Sequence, residues 1–107
     1  MYTMAQVKKD NDYRHFYELP KDRQEKLLKW IRENLIKDTK FNHRHTSYSI
    51  KTFVDLGSDE SSWFSNGEFK GAMLEAGFKY KAIDCADWIF NVHEASLDWY
   101  NPNRRPV

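Results

Sequence analysis

Cysteine is almost missing from this chain: Cys85 stands alone among 107 residues, which excludes an intrachain disulfide framework and suits a reducing compartment. Glycine and proline, at four and three residues, build no low-complexity or linker tract, and no internal repeat is present. Long apolar runs are also lacking. None approaches the roughly 18 residues that span a bilayer, and Met1-Tyr2-Thr3-Met4-Ala5 has no signal-peptide core, so the expectation is a cytoplasmic protein without membrane contact. A charge excess of one sign is missing as well, since 17 Lys+Arg meet 16 Asp+Glu for a net +1. What the chain does have is aromatic residues, at 16%, with Trp30, Trp63, Trp88 and Trp99 spread along it; that argues for a packed core and against disorder. At this length one domain is expected, burying roughly two-thirds of the unfolded surface.

The near-neutral total hides an uneven distribution. Residues 1–45 hold 11 Lys+Arg and 7 Asp+Glu, a balance of +4, whereas residues 46–107 hold 6 and 9, a balance of −3. Without the tail pair Arg104 and Arg105 the second part stands at −5. A surface that binds duplex nucleic acid neutralises several phosphates with Lys and Arg, so the second half is poorly furnished for that work.

The best-punctuated segment is Phe64 to Phe78. Ser65 and Glu68 have the S-x-x-E spacing of a capping box, and Phe64 and Phe69 occupy the N′ and N4 places of a hydrophobic staple. Gly77 suits the left-handed residue that closes a helix, with Phe78 folding back on Met73 in a Schellman motif. A helix over 66–76 follows, with Phe69, Ala72, Met73 and Ala76 on its core face and Asn66, Lys70, Glu68 and Glu75 on its exposed side. Gly67 and Gly71 lie one turn apart beside the core face. An interior glycine costs roughly 1 kcal/mol relative to alanine, so this pair calls for close packing or a closely approaching partner.

Upstream, residues 1–18 form an irregular polar arm anchored by Tyr13, Phe16 and Tyr17. Pro20 opens a helix over 20–37 carrying Leu27, Leu28, Ile31 and Leu35 at helical spacing, with Trp30 beside the stripe. Ser47 caps a second helix over 47–56 that buries Ile50, Phe53 and Val54 and stops at Gly57. Downstream of Gly77 the period changes to two, and residues 78–82 and 88–92 read as paired antiparallel strands. Residues 98–107 form a frayed tail. Three helices and then a two-stranded antiparallel hairpin constitute an α+β, winged helix-turn-helix-like domain, with its core over 19–97. In such domains the third helix often enters the major groove and the hairpin forms the wing, but winged helices also serve as protein-docking modules.

Little points to catalysis. His43, His45, Cys85 and His93 lack the paired tight-turn spacing of a zinc site. A Cys85 nucleophile with His93 as base has no orienting third residue, and no phosphate-binding loop or dinucleotide fingerprint is present. Asp59 with Glu60, and Asp84 with Asp87, read as solvated loop acids. No enzyme activity, metal or cofactor is implied.

The segments Ser47-Tyr48-Ser49-Ile50-Lys51, Phe64 to Phe78 and Trp88-Ile89-Phe90-Asn91-Val92 resemble small uncharacterised proteins carried by phages and other mobile elements of Gram-positive bacteria. The resemblance covers roughly residues 45–92. It implies a setting in which short proteins regulate transcription or inhibit host machinery, anti-CRISPR proteins among them, and it brings no catalytic residues.

Two functions follow as expectations. The first is a non-enzymatic inhibitor that binds a host nucleic-acid-handling protein, such as a CRISPR effector nuclease, through Asp55, Asp59, Glu60, Glu68, Glu75, Asp84 and Asp87, with Trp63 as aromatic anchor. The alternative is a DNA-binding regulator using Arg44, Lys51, Asn66, Lys70, Lys79 and Lys81, with Lys8, Lys9 and Arg14 adding backbone contacts. Homodimerisation through the first or last helical segments, with Trp99 and Tyr100, is compatible with either.

Overall fold

The capped segment folds as its signals dictate. In the computed structural model, which describes residues 10–57, 60–84 and 86–97 and the backbone of 98–100, a helix spans Asn66–Glu75. The Ser65 hydroxyl accepts from the Glu68 amide at 3.1 Å, and the Glu68 carboxylate accepts from the Ser65 amide at 2.8 Å. At the other end Gly77 has φ +90°, the Phe78 amide donates to Met73 O (3.0 Å) and the Gly77 amide to Leu74 O (2.9 Å), which completes the Schellman pattern.

Two helices precede it. Helix α1, Lys21–Asn34, begins after Pro20 and buries Leu27, Trp30 and Ile31. It ends three residues earlier than its sequence pattern suggests. Leu35 is extended, and Lys37 forms a bridge with Val92 while the His93 amide donates to Ile36 O at 2.7 Å, so pairing with the distant chain replaces the last helical turn. Helix α2, Ser47–Lys51, is half the expected length. Its cap is Thr46, whose hydroxyl accepts from the Ser49 amide, and not Ser47; Ser47 is buried, and its hydroxyl accepts from the Trp88 amide at 3.2 Å. Ile50 and Val54 still reach the core, and Gly57 sits beyond the helix at φ +101°. The Asn66–Glu75 segment is α3.

Strands β1 (Tyr80–Ala82) and β2 (Trp88–Phe90) pair antiparallel, with Lys81 opposite Ile89. Asp84 organises the connection, its carboxylate accepting from the Ala86 and Asp87 amides. The alternation expected for β1 is absent: all three of its residues are exposed. On the far side of β2 the link after α1 closes in, with the Asn42 amide donating to Phe90 O and the Asp38 amide to Asn91 O. The result is a small α+β domain with a Cα radius of gyration of 13.9 Å, near the ~13 Å expected of a compact chain this long.

The main correction concerns α3. Its exposed side was expected to carry Asn66 and Lys70, but both are buried, as are Gly67, Phe69, Gly71, Ala72 and Met73. Residues Tyr13–Glu18, part of the expected irregular arm, form a 3-10 helix capped by the Asp12 carboxylate and lie along α3. The glycine pair explains the fit: a Cβ on Gly67 would collide with the Asp12 backbone, and one on Gly71 would overlap Tyr13 O and Phe16 Cβ. Phe16, 1% exposed, fills the space over Gly71. With this strap on one side and α1 and α2 on others, α3 is a central core helix, and its glycines serve packing inside the chain.

Candidate functional site

With α3 enclosed, exposed chemistry must come from the elements around it. Arg23, on the first turn of α1, reaches the loop before α3 and donates to Ser61 O (2.5 Å) and Trp63 O (3.1 Å), while its guanidinium lies 4.2 Å from the centre of the Phe64 ring. Phe64 is buried and Trp63 is 70% exposed, so the loop is pinned with one aromatic in and the next out. An exposed Trp on an anchored backbone is unusual, because burying such a ring is worth several kcal/mol.

Trp63 has aromatic and cationic company. Tyr48 of α2 is 57% exposed, and Lys51, one turn further, holds its ammonium 4.4 Å from the Tyr48 ring centre and 5.8 Å from that of Trp63. The i, i+3 spacing of Tyr48 and Lys51 on one helix face brings them together. Burial lowers the Lys51 pKa, with the Glu68 carboxylate opposing that shift.

These residues wall a cavity of about 560 Å³ whose other lining includes Asp10, Asn11, Ser49, Asn66 and Asp87. The size falls in the range of ligand-binding clefts. Asn66 is 7% exposed, and its Nδ2 donates to Asn11 Oδ1 (2.5 Å), Ala86 O (2.9 Å) and Asp87 Oδ1 (3.2 Å), which fixes the orientation of the amide. Its Oδ1 is buried without a hydrogen-bond partner, the one such side-chain atom among the described residues. An unmet buried acceptor costs about 1–3 kcal/mol.

The acids expected to form a docking surface are scattered, and each described one already accepts a hydrogen bond from the chain itself. Asp55 takes the Gly57 amide, Glu60 pairs with Lys26 at 2.5 Å, Glu68 closes the capping box, and Glu75 accepts from the Tyr17 hydroxyl at 3.0 Å. Asp84 holds the hairpin turn, where the Asp87 and Ala86 amides lower its pKa, and Asp87 faces Asn66. Asp55 and Glu60 line a separate cavity of about 270 Å³ with Lys26, Lys29, Trp30 and Glu33. Asp87 lines the Trp63 cavity, while Glu75 sits at the far end of α3. Asp59 lies outside the described residues, as do Cys85, Lys8, Lys9 and the side chains of Trp99 and Tyr100.

Comparison with known proteins adds no further guide. The chain matches no protein family, no curated protein and no solved structure.

The residues expected to read DNA divide differently. Lys79 and Lys81 are exposed on the hairpin, and Arg44 is exposed 3.8 Å from Glu94. Asn66 and Lys70 are lost to the interior. Lys70 is 2% exposed, its ammonium donating to Asn11 O at 3.2 Å and lying 4.8 Å from the Trp88 ring centre. Trp88 in turn stacks on Tyr80 at 3.9 Å. An α3 so occupied presents no row of polar side chains to a groove of DNA.

His45 and Arg44 belong to a latch and form no metal cluster; among the described residues no three of His, Cys, Asp and Glu gather as ligands. His45 Nε2 stands 3.1 Å from Glu94 Oε1, and Asn42 Nδ2 donates to Glu94 Oε2 at 2.7 Å and to Val92 O at 3.2 Å. This ties the link after α1 to the 3-10 turn Glu94–Tyr100. Burial alone would raise the Glu94 pKa, but the hydrogen bonds from Asn42 and His45 outweigh it and lower the pKa. A carboxylate with a depressed folded pKa stabilises the fold above its unfolded pKa, and that contribution is lost as pH falls through the folded value. Thermal melts should therefore show the parent more stable than Glu94→Gln above the ordinary glutamate pKa of about 4.3, with the gap narrowing as pH falls below it. A gap that persists or widens in acid would remove the latch.

Tyr48, beside Trp63, and Arg23, which pins its loop, are residues of this candidate site that the sequence pattern did not single out. The signal for Tyr48 was its place three residues before Lys51 in a short capped helix.

Proposed function

We propose that this chain is a non-catalytic binding protein that docks on a basic surface of a partner protein through the Trp63 face. The observation that carries this is Trp63 itself, 70% exposed on a backbone fixed by two hydrogen bonds from Arg23. Such a ring reaches the partner with little further ordering to lose, and tryptophans of this kind are frequent binding hot spots. Charge supports a basic partner. In the cavity holding Trp63, Asp10 and Asp87 outnumber Lys51; in the separate smaller cavity Glu33, Asp55 and Glu60 outnumber Lys26 and Lys29.

A nucleic-acid-handling enzyme has such a surface in its substrate channel, and an inhibitor seated there would exclude the nucleic acid. A CRISPR effector nuclease of the bacterial host fits this description and the resemblance to phage-borne proteins. The winged-helix relation rests on element order alone, and in this reading the frame is a docking module with α3 as its core. The DNA-binding alternative keeps Arg44, Lys51, Lys79 and Lys81 but loses Asn66 and Lys70, the two residues it placed on α3 for the groove.

The test is direct titration against purified host effector nucleases. Trp63→Ala should weaken the complex about 30- to 100-fold with the melting temperature unchanged within about 2 °C, as loss of an exposed hot-spot ring entails. Equal affinity of parent and variant, or nuclease activity untouched by a saturating excess of the parent, would overturn it.

A further inference from the structure

Resting on that docking reading, we propose that the cavity beside Trp63 receives one arginine side chain of the partner. The cavity offers what a flat, donor-only cation requires. Trp63 and Tyr48 supply ring faces, and Lys51 already places a cation over the Tyr48 ring at 4.4 Å, a site where a positive charge is attracted. On the other wall Asp87 supplies a carboxylate, fixed through its contact with the Asn66 amide at 3.2 Å, and Asp10 adds a second. Asn66, more than nine-tenths buried in the lining, holds the Asp87 carboxylate in place from beneath.

A guanidinium meets these demands together: its plane stacks on indole, and its fork donates to a carboxylate through two parallel bonds. A lysine ammonium lacks the plane. A nucleotide also stacks, but its phosphate would have to pass Asp10 and Asp87, with Lys51 as the one lysine in the lining.

Lys51 sets the direction of the test. If arginine is the occupant, Lys51 competes with it for the rings; if a nucleotide or an acidic group is, Lys51 holds it. The full chain is titrated with N-acetyl-arginine-N-methylamide, its lysine counterpart and AMP, following the Trp63 indole and Asn66 side-chain amide resonances by NMR. The arginine compound is expected to move both resonances and to bind about tenfold more tightly than the lysine compound. Lys51→Met, which keeps the apolar stem, should tighten it about threefold, and Asp87→Asn, which keeps the acceptor facing Asn66, should weaken it about tenfold. AMP saturating first with Lys51→Met weakening binding, or equal arginine and lysine affinities with shifts spread over the surface, would overturn the assignment. If Trp63→Ala weakens the partner complex while the arginine compound leaves Trp63 unmoved, docking stands and arginine capture falls. If Trp63→Ala leaves that complex intact, both fall.

Discussion

Gly71→Ala should lower the melting temperature by about 10 °C or more, although alanine is the better helix former. By propensity alone the change favours the helix by about 1 kcal/mol. Against that gain stands the strap. The added Cβ would overlap Tyr13 O, which is backbone, and Phe16 Cβ, which is attached directly to backbone, so no flexible side-chain end can swing aside. Relief requires the 3-10 segment Tyr13–Glu18 to lift from α3, exposing Phe16 and the face of α3 beneath it. Overpacking of this kind costs about 1–3 kcal/mol, occasionally more, and lifting the strap adds the lost burial of Phe16; a net loss of about 2–3 kcal/mol is expected. In a domain of this size each kcal/mol shifts the midpoint by about 4–8 °C. A melting temperature equal to or above that of the parent would mean that the strap does not seat on α3 as described.

Phe16→Ala attacks the same contact from the other side and should cost about 3–5 kcal/mol. Phe16 is 1% exposed in the core cluster with Phe69 and Met73, and it meets Tyr17 edge-on at 5.2 Å. Removing the ring opens a cavity at the place where α3 has no side chain of its own to fill it, because Gly71 lies below. The two substitutions should be strongly sub-additive. Once either has released the strap, the second has little native contact left to break, so the double variant should cost no more than about 1 kcal/mol beyond Phe16→Ala alone. Additive losses, measured by denaturant unfolding, would show that Gly71 and Phe16 act at separate places.

The strap also marks where sequence reasoning stops. Helix α3 was legible to within one residue because its boundaries are local chemistry: a serine oxygen, a glutamate three residues on, a glycine at positive φ. The environment of α3 was not legible. The glycine pair signalled a close approach, but nothing near Gly67 and Gly71 in the chain says that the approaching group is Asp12 to Phe16, more than fifty residues away. The apparent polarity of α3 misled for the same reason. Lys70 looks like a surface residue until Asn11 O and the Trp88 ring are brought to it by tertiary contacts. The shortfalls in α1 and α2 are of the same kind, since Lys37 leaves its helix to pair with Val92 and the Ser47 hydroxyl serves the hairpin. Trp63 stood out on its loop from composition alone, whereas the cavity beside it depends on α2, the residues Asp10 and Asn11 and the hairpin connection meeting in space.

Hydrogen exchange of the full chain, alone and saturated with an inhibited effector nuclease, tests the docking surface most directly. Protection gained on binding is expected to be largest over Tyr48 to Lys51 and Ser61 to Ser65, while the amides of Phe69–Glu75, already enclosed, exchange only by global unfolding in the free chain and slow only as far as binding stabilises the whole fold. Protection confined to the exposed strand Tyr80–Ala82 and its lysine neighbours, with the Trp63 loop unchanged, would contradict it.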